Sequence, residues 1–339
     1  MKLGLDIFRH NLVKGYVCLA IVVAIWTASG YLTQGTFVLY NYQNSIAIPA
    51  YSTTVGLILL SPLAWRKVNR SDLPTFTQMF LLGVLWLLGQ LLYLLALLYT
   101  SMGTVTAVVA SSTAFSFLFS VVILKYDFRI VSALSVLVTI AGVTLTACFK
   151  AEALQTDENE MIINETVHGI VVGLASAVVS GLFNCLFKKW VKDDKNTGIV
   201  FGSFGIVGIF VGIPVIVISH YTGIQEFQMP CWEVAVRILA DALMCSVVCN
   251  YFFSKTFIYL TPVIVSVGLT MTIPIAFIIT ALVLQTHSYP PMAILGVTLI
   301  FLAVVAVSYD QAKYERELSI ANQQEVKSPD LSVDPSSIQ

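Results

Sequence analysis

Apolar residues in this chain come in long unbroken runs, cut by short polar or basic stretches; they do not alternate as in strands. A bilayer-spanning helix needs about 20 such residues. Ten runs meet that length: about 16–39, 45–65, 76–99, 103–124, 130–149, 169–187, 198–219, 234–257, 261–284 and 291–309. Several are only a few residues apart, which makes neighbours antiparallel hairpins. The narrowest boundary is Phe257 to Pro262, where the residues before the proline are biased away from helix. The pattern predicts an all-α membrane protein with ten transmembrane helices.

Charge fits this count. With the N-terminus in the cytoplasm, 16 of the 18 Lys and Arg fall on the cytoplasmic side, the exceptions being Lys150 and Arg237. Both termini are therefore expected to be cytoplasmic; the organelle stays open. The basic stretch Met1 to Lys14 and the long run after it do not read as a cleavable signal. Expected divisions are a cytoplasmic N-terminus at 1–15, five helices over 16–149, a non-cytoplasmic acidic loop at 150–168, five helices over 169–309, and a disordered cytoplasmic tail at 310–339. The acidic loop holds a sequon at Asn164, close to the next helix, and a second at Asn69 falls on the cytoplasmic side. Composition excludes other classes. Of 339 residues, 57% are hydrophobic and 11% charged, with a mean hydropathy of +0.85, against roughly 25% charged in a soluble domain. A net charge of -1 gives no basis for nucleic-acid binding.

A shift of 160 positions lays residues 80–124 on 240–284 without a gap. Tyr99 then meets Tyr259, Val105 meets Val265, Phe117 meets Phe277 and Leu124 meets Leu284. Rare polar positions also coincide: Gln90 with Asn250, Ser101 with Thr261, Thr106 with Ser266, Ser112 with Thr272, Ser120 with Thr280. Five helices separate the copies, so the second enters the membrane from the opposite side. That is an inverted repeat, two bundles of five helices, as in carriers with a gate at either face.

Several motifs resemble solute carrier family 35, subfamily F, of the drug/metabolite transporter superfamily (EamA-like). They are the run Ala24 to Thr33, the segment Leu98 to Thr104 with the cluster Ser111-Ser112-Thr113 after it, Phe201 to Gly205, His220 to Phe227, and most strongly Thr261 to Pro274. The resemblance covers most of residues 16–309 and implies a five-plus-five inverted fold around a central cavity. The pattern differs at Tyr31, where the family usually has an acidic residue, and at Asp127, where glutamate is usual.

Ionisable groups inside a membrane are candidates for function. Asp241 lies within the eighth helix, with Arg237 one turn earlier. Either Arg237 snorkels to the outer interface and Asp241 neutralises it, or Asp241 binds substrate or a proton. Gln90 and Asn250 offer carboxamides suited to a polar solute or to interhelical bonding. Trp86, Gln90 and Tyr93 share one face of the third helix; Trp26, Ser29 and Thr33 share a face of the first, beside Gln34. Ser112, Ser116 and Ser120 form a stripe that favours tight packing. Pro274 cannot bond to the Thr270 carbonyl, so Thr270, Thr272 and Pro274 mark either a structural kink or a hinge.

No nucleotide-binding loop, zinc signature or nucleophile elbow occurs. The six cysteines lack metal spacing, so neither enzyme chemistry nor a cofactor is expected. The sequence reads as an alternating-access carrier of a small polar organic solute, a metabolite, vitamin or nucleotide derivative. The alternative is a non-transporting receptor or scaffold with the same fold. Lipid and a small-molecule solute are the expected partners, and a homodimer is compatible with both.

Overall fold

The computed structural model describes residues 12–29, 32, 72–99, 105, 108–154, 163–223, 227–275, 278–279 and 291–327. Every element among them is helical, as the apolar runs require. In chain order these are α1 (Leu12–Ser29), α2 (Phe76–Tyr99), α3 (Val108–Ile123), α4 (Ile130–Leu154), α5 (Ile163–Trp190), α6 (Thr197–Tyr221), α7 (232–259), α8 (Pro262–Ile275) and α9 (Pro291–Lys327). The expected helix at 45–65 lies outside the described residues, as do Thr33 and Gln34. Asn164 is on the first turn of α5.

Local chemistry explains the ends. α2 opens with a capping box: the Gln78 N–H donates to Thr75 Oγ1 at 3.4 Å and the Thr75 N–H to Gln78 Oε1 at 3.0 Å. α3 is followed by Lys125 in the left-handed region, at φ 57°, and the Tyr126 N–H reaches back to the Ser120 carbonyl at 3.2 Å. Between α7 and α8, Leu260 and Thr261 are extended and Pro262 occupies the first turn of α8. α6 widens to i→i+5 winding over Gly208–Gly212, just before Pro214, whose ring would otherwise strike the carbonyl four residues back. α7 widens in the same way over Leu243–Cys249 with no proline to account for it.

The last helix departs from expectation. Residues 310–339 read as a disordered tail, whereas α9 continues to Lys327. The segment after Asp310 is mostly Gln, Ala, Lys, Glu, Arg and Leu, good helix formers, and its first Pro is Pro329. The drop in hydropathy after Asp310 does not end the helix.

Small residues set the close crossings, as in membrane bundles. Gly142 of α4 faces Gly296 of α9 so closely that a Cβ on Gly142 would lie 2.7 Å from the Gly296 carbonyl oxygen. Arg129 then ties the same two helices, donating to the Asp310 carboxylate at 2.9 Å and to its carbonyl at 3.0 Å, while Ser132 donates to the other carboxylate oxygen at 2.9 Å. On α5, Gly181 admits Phe115 and the Ser116 backbone of α3, and Ser176 donates to the Gly89 carbonyl of α2 at 2.9 Å.

Candidate functional site

α1 and α7 run antiparallel along each other. The Cys249 thiol lies against the Val22 carbonyl at 3.9 Å, and further along Ser29 donates to Asp241 Oδ1. Asp241 is half-buried. Its partner differs from the one the spacing suggests. Arg237 is one turn away, yet among the described residues no basic group stands within ion-pair distance of this carboxylate. The i, i+4 pair runs along one helix surface, whereas α1 packs directly over Asp241 and reaches it first.

The wide winding of α7 bears on the same region. Asp241 and Asn250 are nine residues apart, about 900° of ideal helix, which would put them on opposite faces. One residue added by an i→i+5 turn rotates everything beyond it by about 100°. Asn250 therefore comes to within roughly a quarter turn of Asp241. It is 8% exposed and, among the described residues, its carboxamide has no hydrogen-bond partner.

Aromatic rings form the floor beneath these groups. Trp26 of α1 meets Phe253 of α7 with ring centroids 5.3 Å apart, and Trp86 of α2 meets Phe253 at 5.8 Å. Trp86 also touches Phe183, Phe201 and Phe204. It is thus committed to the core on one side. Gln90, one turn further along α2, is half-buried and has no hydrogen bond to the described residues; Tyr93 is half-buried above it.

Other sequence candidates are placed elsewhere. Ser116 is fully buried in a polar triangle: Asn184 of α5 donates to Ser116 at 3.2 Å and to Ser266 of α8 at 3.0 Å, and Ser266 donates to Ser116 at 2.8 Å. Ser120 donates to the Ser116 carbonyl at 2.6 Å, and Ser112 is half-buried about one turn into α3. Thr270 and Thr272 spend their hydroxyls on their own helix, at Val267 and Leu269. Pro274 is buried, and the Thr270 carbonyl it forfeits is taken by the Ile273 N–H at 3.0 Å. The structure therefore pairs Ser29 with Asp241 and brings Trp26 and Trp86 onto Phe253, with Gln90 a turn along α2 from Trp86, while Ser116 is in the triangle with Asn184 and Ser266, and Thr270 and Thr272 bond within α8. Sequence reasoning passed over Asn184, though it is a lone carboxamide in an apolar run like Gln90 and Asn250, and the same rule would have flagged it. It also passed over Asp310, which is near a helix end in sequence but buried by α4.

Among the described residues, four helices, Leu12–Ser29, Phe76–Tyr93, Val167–Trp190 and Thr197–Tyr221, are long and apolar enough to cross a membrane, and four shorter apolar helices accompany them. A solved crystal structure shares the fold, with a TM-score of 0.69 at 14% identity over 91% of this chain and 99% of that one. Among curated proteins, an uncharacterized transporter of Schizosaccharomyces pombe is 22% identical over 89% of this chain and 97% of its own. The thiamine-repressible mitochondrial transport protein THI74 of Saccharomyces cerevisiae is 20% identical over 91% and 94%. Human solute carrier family 35 member F3 is 23% identical over 69% of this chain and 52% of its own. The apolar helices and the transporter relatives indicate a multi-pass integral membrane transporter of unspecified solute, not an enzyme. Residues 13–148 match the model of the EamA-like transporter family, and the resemblance to solute carrier family 35, subfamily F, holds in relatives such as members F3 and F5.

Proposed function

We propose that the chain is an alternating-access carrier of ten helices in two inverted five-helix repeats, 16–149 and 169–309, with both termini in the cytoplasm. The solute is a small polar organic molecule, bound between α1, α2 and α7. One observation carries this reading: a carboxylate inside a span, Asp241, is met by a hydroxyl from the other repeat, Ser29. A charge at a helix centre costs about 2.5–3.5 kcal/mol on insertion scales, and one neutral hydroxyl offsets little of it. A site of this kind is completed by a proton or by a polar group of the solute.

The repeat has further support. α2 ends at Tyr99 and α7 at Tyr259, the matched pair in the 160-residue shift. On the expected topology α2 ascends while α7 descends. From the Trp86–Phe253 contact, Gln90 is then about one turn above on α2 and Asn250 about one turn above on α7. The matched amides thus share a depth. The basic residues Lys188, Lys189, Lys192, Lys195 and Lys255 belong to helix ends and loops that alternation places on one side, with Arg237 on the other, which favours cytoplasmic termini.

The test is an untargeted metabolite-accumulation screen in cells with and without the protein, repeated with Asp241→Asn. The expected result is a polar metabolite whose level follows the wild type and not the variant. No protein-dependent change in any metabolite, with the chain present in the membrane, refutes the carrier.

A further inference from the structure

Two thiols stand one turn apart on α7. Cys245 and Cys249 are four residues apart, and both belong to the wide winding of Leu243–Cys249. They continue a line that begins at Asp241 and ends at Phe253, and α1 runs along it. Ser29 donates to Asp241 and also meets the Cys245 thiol. The Cys249 thiol lies against the Val22 carbonyl at 3.9 Å, and Trp26 packs on Phe253. Within this seam the two thiols are in polar contact with each other. Cys245 is half-buried and Cys249 fully buried. Other thiols are placed differently: Cys185 donates to the Ser116 carbonyl at 3.3 Å, and Cys231 is exposed ahead of α7.

A pair of thiols can form a disulfide, hold a metal ion or take a bridging atom, and the seam selects among these. A disulfide holds its Cβ atoms about 3.8 Å apart, whereas residues four apart on a helix keep theirs at about 5–6 Å; direct closure would distort the turn. A metal cation would draw out both protons and set two thiolates beside Asp241, a costly cluster of charge in an apolar seam. Among the described residues, no group of three His, Cys, Asp or Glu is placed to hold a metal ion. A neutral atom that bridges two thiols meets neither obstacle. Trivalent arsenic of the R–As(OH)2 class reacts in this way. Two S–H and two As–O bonds break, two As–S bonds form, and each proton leaves with a hydroxide as water. Arsenic stays trivalent, no oxidant is consumed, and the product is as neutral as the reactants.

We propose that Cys245 and Cys249 form a dithiol site for neutral trivalent arsenicals in the seam between α1 and α7. Cys245, the more accessible thiol, reacts first, and Cys249 closes the ring. The bridge staples the wide turn of α7 beside Ser29 and Asp241. A solute that uses Asp241 then loses its site, a consequence that rests on the carrier reading; the adduct itself does not.

Phenylarsine oxide and the full chain in lipid nanodiscs test the site without a known solute. After a wash with glutathione, a monothiol, intact-mass spectrometry should find one phenylarsenic group per chain, and dimercaptopropanol, a dithiol, should remove it. Cys245→Ser and Cys249→Ser should each lower the retained arsenic by about a hundredfold, the usual loss when a second, intramolecular attachment is gone. Cys231→Ser should retain it. Cys245→Ser decides the matter alone if Cys249→Ser does not fold, since both thiols are needed. Arsenic retained in full by Cys245→Ser overturns the site, as does a wild type that retains none. Vesicles carrying the wild type should also stop taking up the solute identified by the metabolite screen once the adduct forms, and vesicles carrying Cys245→Ser should not. Uptake that survives a full adduct overturns the placement beside the solute. A screen that finds no solute refutes the carrier and leaves the adduct standing.

Discussion

Asp241 is where a single side chain matters most. Its partner is Ser29 on another helix, so removing Arg237 cannot compensate for its loss. Asp241→Asn should reach the membrane at normal levels, because an amide still accepts from Ser29, yet abolish accumulation of the solute found by the screen. Adding Arg237→Gln should not restore it. Recovery by the double variant would return the pair to a structural role. Asn184 shows the opposite behaviour. Its two bonds join three helices in a dry layer, but Ser116 and Ser266 also bond each other. Asn184→Leu should therefore cost only about 1 kcal/mol, the usual size of a polar contact between membrane helices, read as a lowered melting temperature in detergent. Sequence alone could nominate both residues, each a rare polar group in an apolar run. It could not tell them apart, because burial and partner come from helices far away in the chain.

Elements were more legible than partners. Helix positions follow from the length of the apolar runs, and the break at Leu260-Thr261-Pro262 follows from proline. Two features had no such signal. The wide winding in α7 has no proline or glycine to announce it, and the continuation of α9 past Asp310 is hidden by the drop in hydropathy. The α3–α4 turn offers a direct test of local strain. Lys125 holds a left-handed conformation that costs an L-residue roughly 1 kcal/mol. Lys125→Gly should raise thermal stability by about that amount, and Lys125→Val should lower it; identical melting temperatures for the three proteins would dismiss the strain. The α4–α9 crossing is less forgiving. Gly142→Val has backbone to displace, and it should lose folded yield outright where Lys125 variants shift a midpoint.

For the whole molecule, topology is the property that charge alone predicts. Reporters at the two termini should both be accessible from the cytoplasm, because 16 of the 18 basic residues then lie on that side; opposite placement would require an odd number of spans. The proposed repeat rests on a numerical shift, whereas the contacts between the two proposed halves carry no such signal in the sequence. The contacts between them, Ser29 with Asp241, and Ser116 with Asn184 and Ser266, pair residues from 68 to 212 positions apart.

Carriers of this size give an electron microscope little to align on, since nearly all their mass is inside the detergent belt. α9 changes that. Its 37 residues span about 55 Å at 1.5 Å per residue, against a hydrocarbon core about 30 Å thick. A small helical domain spliced in frame at Lys327 would prolong one continuous rod and inherit the orientation of the bundle. The chain thus carries its own mounting point for a fiducial, with no linker to be engineered.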